Sequence, residues 1–355
     1  MAKTVVCLVC GGQSAEHEVS LQSAKNVLDA MDRSKYDIVL VGIDKSGVWR
    51  VYSDYQFTVN SDDPAKIALS KSGDIAFPML SGSGPVLVEV ASGRQHSIDV
   101  MFPILHGTNG EDGAFQGLCQ MLNCTCVGCG LSSSANCMDK DLTKQLLSAN
   151  GIRVARGVVL RLGLDKLDSE GVISKLGLPL FVKPARTGSS VGVSKAHDVA
   201  ELEAAVEEAF KYDTKLLIEE CIVGREIECA VLGTREPFAA LPGEVKPTVE
   251  FYSYDAKYIL ENGALLEAPA ALSKQEQDQV REIAVRAYKV MECAGMSRID
   301  FFLCPDGTWV LNEINTIPGF TKISMYPRMM KTSGITYSEL IDRLLQDAIE
   351  RGKTA

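Results

Sequence analysis

RIDFFLCPDGTWVLNEIN, residues 298–315, sets a turn signal, Pro305-Asp306-Gly307, between two apolar, aromatic-rich runs. That pattern predicts a β-hairpin. With Asp306-Gly307 as a two-residue turn, Pro305 faces Thr308, 304 faces 309, 302 faces 311 and Asp300 faces Glu313. Side chains alternate along a strand, so Arg298, Asp300, Glu313 and Asn315 fall on one face. Opposed like charges about 5 Å apart at Cβ are destabilising. A hard divalent cation removes that penalty, and carboxylates with an amide oxygen are the donors Mg²⁺ takes, usually together with substrate phosphates. The competing reading is an acidic pair on a solvated hairpin. Phe302, Trp309 and Leu311, expected on the same face, argue against it.

At 355 residues the chain predicts two or three domains and a large core. Hydrophobic content of 46% and charged content of 23% are ordinary for a globular protein. The net charge is −10 and there is no basic run, which argues against a nucleic-acid partner. Any anionic ligand must meet local Lys or Arg, backbone N–H groups or a metal. No apolar run is long enough to span a bilayer, so no membrane partner is expected. MAKTVVCLVCGG reads as a first strand rather than a signal peptide, and the expected location is cytoplasmic. The eleven scattered cysteines are expected to be reduced and buried. A zinc site from Cys7-x-x-Cys10 and Cys124-x-Cys126-x-x-Cys129 is the alternative. It lacks a histidine, and Cys7 and Cys10 would point to opposite faces of a strand.

Strands are expected at 3–10, 37–43 and 98–105, a short one at 126–127, and helices at 20–31 and 114–122. Strand–helix–strand order implies an open parallel α/β unit. Residues 44–97 read as irregular with a peripheral hairpin. A helix at 138–149, strands at 154–160, 180–183, 191–195 and 215–220, and a helix at 199–210 make a small α+β unit. A strand at 226–232, a long helix at 274–294, the hairpin, and a closing helix near 337–351 complete the chain. The stretch 246–267 has little apolar periodicity, and so long a segment inside a compact domain is usually functional.

PARTGSSVGVSK, residues 184–195, is a Gly/Ser loop directly after Lys183. Its N–H groups can curl around phosphate oxygens, Ser189 and Ser190 add hydroxyls, and Lys183 and Lys140 add charge. Neither a P-loop nor a dinucleotide-binding GxGxxG is present. KLLIEE, 215–220, followed by Gly224-Arg225-Glu226, suits a nucleotide base and sugar; plain surface charge at Glu219, Glu220 and Glu226 is the equal alternative. SAEHEVS, 14–20, and His106 belong at the carboxyl ends of parallel strands, where open α/β sheets bind ligands. Glu16 suits a substrate ammonium and His106 a substrate hydrogen bond. His17 is expected to cap a helix or lie on the surface.

HGTNGEDGAFQG (106–117), MDKDLTK (138–144), VKPARTGSSVGVS (182–194), DAKY (255–258), RIDFFL (298–303) and NEINTIPGFTKISMYP (312–327) together resemble the D-alanine–D-alanine ligase family of ATP-grasp enzymes. The resemblance runs over nearly the whole chain, and residues 44–97 resemble the longer form, with an extended N-terminal domain. It implies an N-terminal open parallel α/β substrate domain (1–137). It also implies a central ATP-grasp subdomain (138–222) and a C-terminal one (223–355), with ATP sandwiched between them and a lid at 246–267. By resemblance, Glu16 binds the ammonium of the first D-alanine and His106 helps place it. Lys140, Lys183, Ser189 and Ser190 hold ATP phosphates, and Lys257 reaches them from the lid. Glu219, Glu220, Cys221 and Ile222 line the adenine pocket, Glu226 meets the ribose, and Asn312 and Glu313 also lie against ATP. Asp300, Glu313 and Asn315 hold two Mg²⁺ ions, with Mn²⁺ as the alternative. Arg298 and the Gly319 backbone stabilise the oxyanion. Ser324, beside Met325, binds the second D-alanine's carboxylate. Ser189 and Tyr258 join Glu16 when the lid closes.

Phe115, Thr187 and Met325 depart from the family's usual residues, which puts any role of the Thr187 side chain in doubt. The implied reaction makes an acyl phosphate from the first D-alanine, then D-alanyl-D-alanine for peptidoglycan precursor synthesis. Tyr258, where some relatives carry Phe, implies an amine nucleophile rather than D-lactate. The family is commonly homodimeric. The rival readings are a non-catalytic nucleotide sensor, an ATP-grasp ligase for another substrate, and a nicotinamide-dependent dehydrogenase.

Overall fold

The computed structural model describes residues 3–52, 56–61, 63, 66–247 and 264–353. Its first sheet has eight strands. Their spatial order is Thr125–Cys126, Val100–Ile104, Thr4–Gly11, Tyr36–Ile43, Trp49–Tyr52, Asp74–Ser81, Gly84–Glu89 and Gln95–Ser97. The first four are parallel and the rest antiparallel. Val6, Leu8 and Cys10 share a core with Leu21, Ala24, Val27 and Leu28 of the helix His17–Ala30. Cys7 and Val9 face the other way, against Met101, Phe115 and Cys119. Cys7 and Cys10 therefore sit on opposite faces, as strand alternation requires. No cysteine is paired, and all but Cys126, Cys221 and Cys304 are buried.

The expectation of irregular chain over residues 44–97 is corrected: this stretch supplies the antiparallel half of the sheet. Its strands lack a clean alternation because Ile75, Phe77, Met79 and Leu80 are exposed. Leu131–Met138, a helix not foreseen, precedes the helix expected at 138–149, which forms as Lys140–Ala149 beyond a break at Asp139. The Asp139 carboxylate caps the second by accepting the N–H groups of Asp141 and Leu142, each at 3.2 Å. Two further helices were not foreseen, Ser169–Leu176 and Met325–Thr332. Both are only eight residues long, too short for periodicity to speak.

A second, antiparallel sheet runs Gly157–Arg161, Lys215–Glu220, Leu180–Pro184, Ser194–Ala196. The third runs Ala264–Glu267, Gly243–Pro247, Arg225–Leu232, Met296–Leu303, Trp309–Asn315, with Phe238–Ala239 beside Arg225–Leu232. The helix Lys274–Val290 covers one face through Val280, Ala284, Ala287 and Tyr288. The last helix, Tyr337–Gly352, returns to the first sheet and buries Leu340, Leu344 and Leu345 in the core of Val6 and Leu8.

The 296–315 hairpin forms with a different turn. Cys304 N–H bonds Thr308 O at 2.9 Å and Gly307 N–H bonds Cys304 O at 2.9 Å, closing a three-residue loop, with Gly307 at φ 81°. Near the turn the register is shifted by one: Leu303 faces Trp309, Phe302 faces Val310 and Phe301 faces Leu311. A bulge between Asp300 and Phe301 then leaves Asn312 as the extra residue and restores Asp300 opposite Glu313 and Arg298 opposite Asn315. Trp309 and Leu311 consequently pack into the core with Phe301 and Leu303, not on the face of Asp300.

Candidate active site

The turn after the first strand needs glycine. Gly11 and Gly12 have φ of 87° and 95°, and a Cβ on Gly11 would stand 2.2 Å from Ile43 O. His17 is buried and its Nδ1 lies 2.7 Å from Gly12 O. It ties this turn to the helix behind it, which corrects the surface reading. Glu16, one residue earlier, reaches across to two other loops. A Cβ on Gly107 or on Gly188 would each stand 3.3 Å from Glu16 Oε2. SAEHEVS, HGTNGEDG and the Gly/Ser loop thus converge on one carboxylate.

His106 is buried, with Nδ1 3.0 Å from Ile317 O and Nε2 3.5 Å from Ser23 Oγ. Burial holds its imidazole below the usual range, with Glu16 opposing the shift. A neutral ring with its proton on Nδ1 satisfies the Ile317 carbonyl. Glu111, not singled out from the sequence, is central here. Its carboxylate accepts Gly107 N–H at 2.8 Å and Ile317 N–H at 2.9 Å. Burial, then the neighbouring Glu16, pushes its pKa up to about 8. Only the tertiary approach of Ile317 gives the Glu111 side chain its task, which the motif HGTNGEDG does not show by itself.

In the Gly/Ser loop, Ser189 and Ser190 hold left-handed φ of 51° and 60°, an uncommon strain for non-glycine residues that clusters at functional sites. Lys140 Nζ donates to Thr187 O at 2.6 Å, and Thr187 Oγ1 donates to Val191 O at 3.1 Å. The departing side chain at 187 therefore braces the loop from within. Lys183 Nζ lies 2.5 Å and Lys144 Nζ 2.6 Å from the two carboxylate oxygens of buried Glu219. Burial works against the Glu219 charge, but the two lysines outweigh it and hold the carboxyl below its ordinary range. Glu219 is thus interior, which corrects the surface-charge alternative for it. Glu220 is engaged by Arg156, whose N–H and Nε–H reach it at 2.8 and 2.7 Å. Cys221, Ile222 and Glu226 are half-buried beyond it.

On the hairpin, Arg298 grips Asp300 with Nε at 2.8 Å and Nη2 at 2.7 Å, and its Nε lies 3.3 Å from Glu228. Burial disfavours the guanidinium charge, but Asp300 and Glu228 more than restore it. Asn315 Nδ2 donates to Asp300 Oδ2 at 3.0 Å, and Lys140 Nζ stands 3.8 Å from Glu313 Oε2. Asp300, Glu313 and Asn315 form an all-oxygen donor set whose chemistry fits a hard cation. Among the described residues no group of three or more His, Cys, Asp or Glu side chains is arranged for a metal. Gly319 and Ser324 are close neighbours: a Cβ on Gly319 would stand 2.8 Å from Ser324 Oγ, which accepts Thr321 N–H at 3.0 Å. Met325 is buried beside Gly243, so its side chain belongs to the core. Tyr258, Lys257 and most of the 246–267 stretch lie outside the described residues.

No helix among the described residues is long and apolar enough to cross a membrane. Residues 5–129 match the family model for the D-ala D-ala ligase N-terminus and residues 146–346 the model for its C-terminus. A D-alanine--D-alanine ligase of Oceanobacillus iheyensis is 48% identical over 99% of this chain and 96% of its own length. Among solved structures, the D-alanine-D-alanine ligase from Coxiella burnetii superposes with a TM-score of 0.87 at 39% identity, covering 100% of this chain and 96% of that one. The VanG D-Ala:D-Ser ligase from Enterococcus faecalis gives a TM-score of 0.85 at 36% identity, covering 98% and 100%. With both halves matched and full-length relatives at this identity, the chain belongs to the D-ala D-ala ligase family.

Proposed function

We infer that the protein is an ATP-dependent ligase joining two D-alanine molecules into D-alanyl-D-alanine for peptidoglycan precursors. The observation carrying this reading is the convergence of the Glu16, Gly107 and Gly188 loops, with Lys140 linking the Gly/Ser loop to the hairpin carboxylate Glu313. In the first step the carboxylate of one D-alanine attacks the γ-phosphorus of ATP, forming an acyl phosphate and ADP. In the second, the amine of another D-alanine attacks the acyl carbon and phosphate leaves. Glu16 is assigned to the first ammonium, His106 to orienting that substrate, and Lys140, Lys183, Ser189 and Ser190 to the phosphates. Phosphoryl transfer is catalysed mainly by positioning and charge neutralisation. Arg298 and Gly319 N–H are assigned to the oxyanion, and Ser324 to the second carboxylate. Asp300, Glu313 and Asn315 would hold two Mg²⁺ ions, or Mn²⁺, which supply charge neutralisation at the phosphates.

The proposal extends to three domains, 1–137, 138–222 and 223–355, with a lid at 246–267 that excludes water from the acyl phosphate. The three larger sheets, whose strands lie within 4–126, 157–220 and 225–315, support that division. An ATP-containing, reducing compartment suits eleven unpaired cysteines, which supports a cytoplasmic location. The homodimer implied by family resemblance is part of the same proposal.

A second reading, D-serine as the second substrate, is favoured by the likeness to a D-Ala:D-Ser ligase. Phosphate release with D-alanine alone, with added D-serine and with added D-lactate separates the two. Turnover with D-alanine alone is expected to dominate; strong dependence on D-serine or D-lactate overturns the D-alanine assignment.

A further inference from the structure

Lys144 has no part in the steps above, yet its position is costly. It lies one turn after Lys140 on the same face of the helix Lys140–Ala149. Its side chain is 8% exposed, and the Glu219 side chain it meets is 2% exposed. Lys183 approaches the other oxygen of the same carboxylate. One lysine would neutralise Glu219; a second leaves a net positive charge in a poorly solvated interior, which is expensive without an anion to receive it. The Lys144 ammonium meets Glu219 Oε1 at 2.6 Å as a buried ion pair, and among the described residues no other acceptor holds it.

We propose that Lys144 is a positioning residue of the nucleotide site, sharing Glu219 with Lys183 so that this cluster carries one surplus positive charge for the phosphates of ATP. The inference rests on the ligase reading and assigns a residue that reading leaves idle. Lys144 faces Glu219 on the strand Lys215–Glu220, Lys183 on Leu180–Pro184 and, further off, Glu313 on Trp309–Asn315. Burial lowers its pKa to about 8, Glu219 opposing and Lys183 reinforcing the shift. Near pH 8 the free protein therefore holds Lys144 only partly protonated, and arriving triphosphate charge draws a proton onto it.

The test is calorimetric titration of ATP with Mg²⁺, without amino acid, at pH 8 in buffers of different ionisation heat. Wild type is expected to take up a fraction of a proton per nucleotide. Lys144→Met, which leaves Glu219 paired with Lys183, should lose that uptake and bind about tenfold more weakly. Lys144→Arg should keep the affinity but lose the uptake, because arginine does not titrate there. It decides the matter alone if the methionine variant fails to fold. ATP binding with unchanged affinity in Lys144→Met, or unchanged uptake in either variant, overturns the role of Lys144 while leaving the ligase reading standing. Failure of wild type to bind ATP overturns both.

Discussion

Glu111 and Ile317 meet across two loops far apart in the sequence: Glu111 Oε1 accepts the Ile317 N–H at 2.9 Å, while His106 Nδ1 lies 3.0 Å from the Ile317 carbonyl. Both backbone polar groups of one residue, Ile317, are held by HGTNGED. The Phe320 N–H donates to Ser23 Oγ at 3.2 Å, so the segment leading to Gly319 and Ser324 is docked on the N-terminal unit. The candidate subsites for the two amino acids are thereby parts of one hydrogen-bonded body.

The raised pKa of Glu111 has a definite consequence for stability. Its carboxyl moves from an ordinary 4.5 to about 8 on folding, so between those values the folded state holds the extra proton. The stabilisation is fully present below pH 4.5 and is lost as pH rises through 8. Melting temperatures from pH 5 to 9 should show wild type losing stability relative to Glu111→Gln as pH increases. A difference between the two that is flat in pH would contradict the assignment.

Arg298→Ala should keep ATP binding and lose turnover. Loss of one donor to a developing oxyanion costs about 3–4 kcal/mol of barrier, a fall in kcat of roughly two to three orders of magnitude. Nucleotide affinity and steady-state phosphate release, measured on the same preparation, check this. Near-normal turnover removes Arg298 from the chemistry.

Gly319→Ala brings a methyl group within 2.8 Å of where Ser324 Oγ now stands, so the hydroxyl must move. The KM for the second amino acid should rise by roughly tenfold or more with ATP affinity unchanged, since misplacement of a positioning group weakens the productive pose. Ser324→Ala should behave alike. Separate titration of the two subsites by initial-rate kinetics distinguishes this from a general loss of folding.

Asp300→Asn and Glu313→Gln should each raise the Mg²⁺ concentration needed for half-maximal activity, because each removes an anionic oxygen from the donor set. Unchanged Mg²⁺ dependence in both variants contradicts their assignment as metal ligands.

The hairpin shows how far residue patterns reach. The apolar runs and Pro305-Asp306-Gly307 announced it, and Asp300 does face Glu313. That pairing arises from two offsets that cancel, a three-residue loop and a bulge at Asn312, neither visible in residue types. The same offsets turn Trp309 and Leu311 into the core, against expectation. The parallel strands were legible because they are continuously apolar and buried on both faces, as in Val6–Cys10. The strand Asp74–Ser81 was not, because its outward side chains Ile75, Phe77 and Met79 are apolar as well. In the site, Glu16, Lys183 and Asp300 stood out by charge beside glycine or strand ends. Glu111 and Lys144 did not, because their significance lies in partners distant in the chain: Ile317, 206 residues from Glu111, and Glu219, 75 residues from Lys144.

The most direct test uses D-alanine labelled with ¹⁸O in its carboxylate, with ATP and Mg²⁺, and follows product and phosphate by mass spectrometry. Ligation through an acyl phosphate predicts one D-alanyl-D-alanine per ADP, with one ¹⁸O transferred to each phosphate released. ADP without dipeptide, or phosphate free of label, would contradict it.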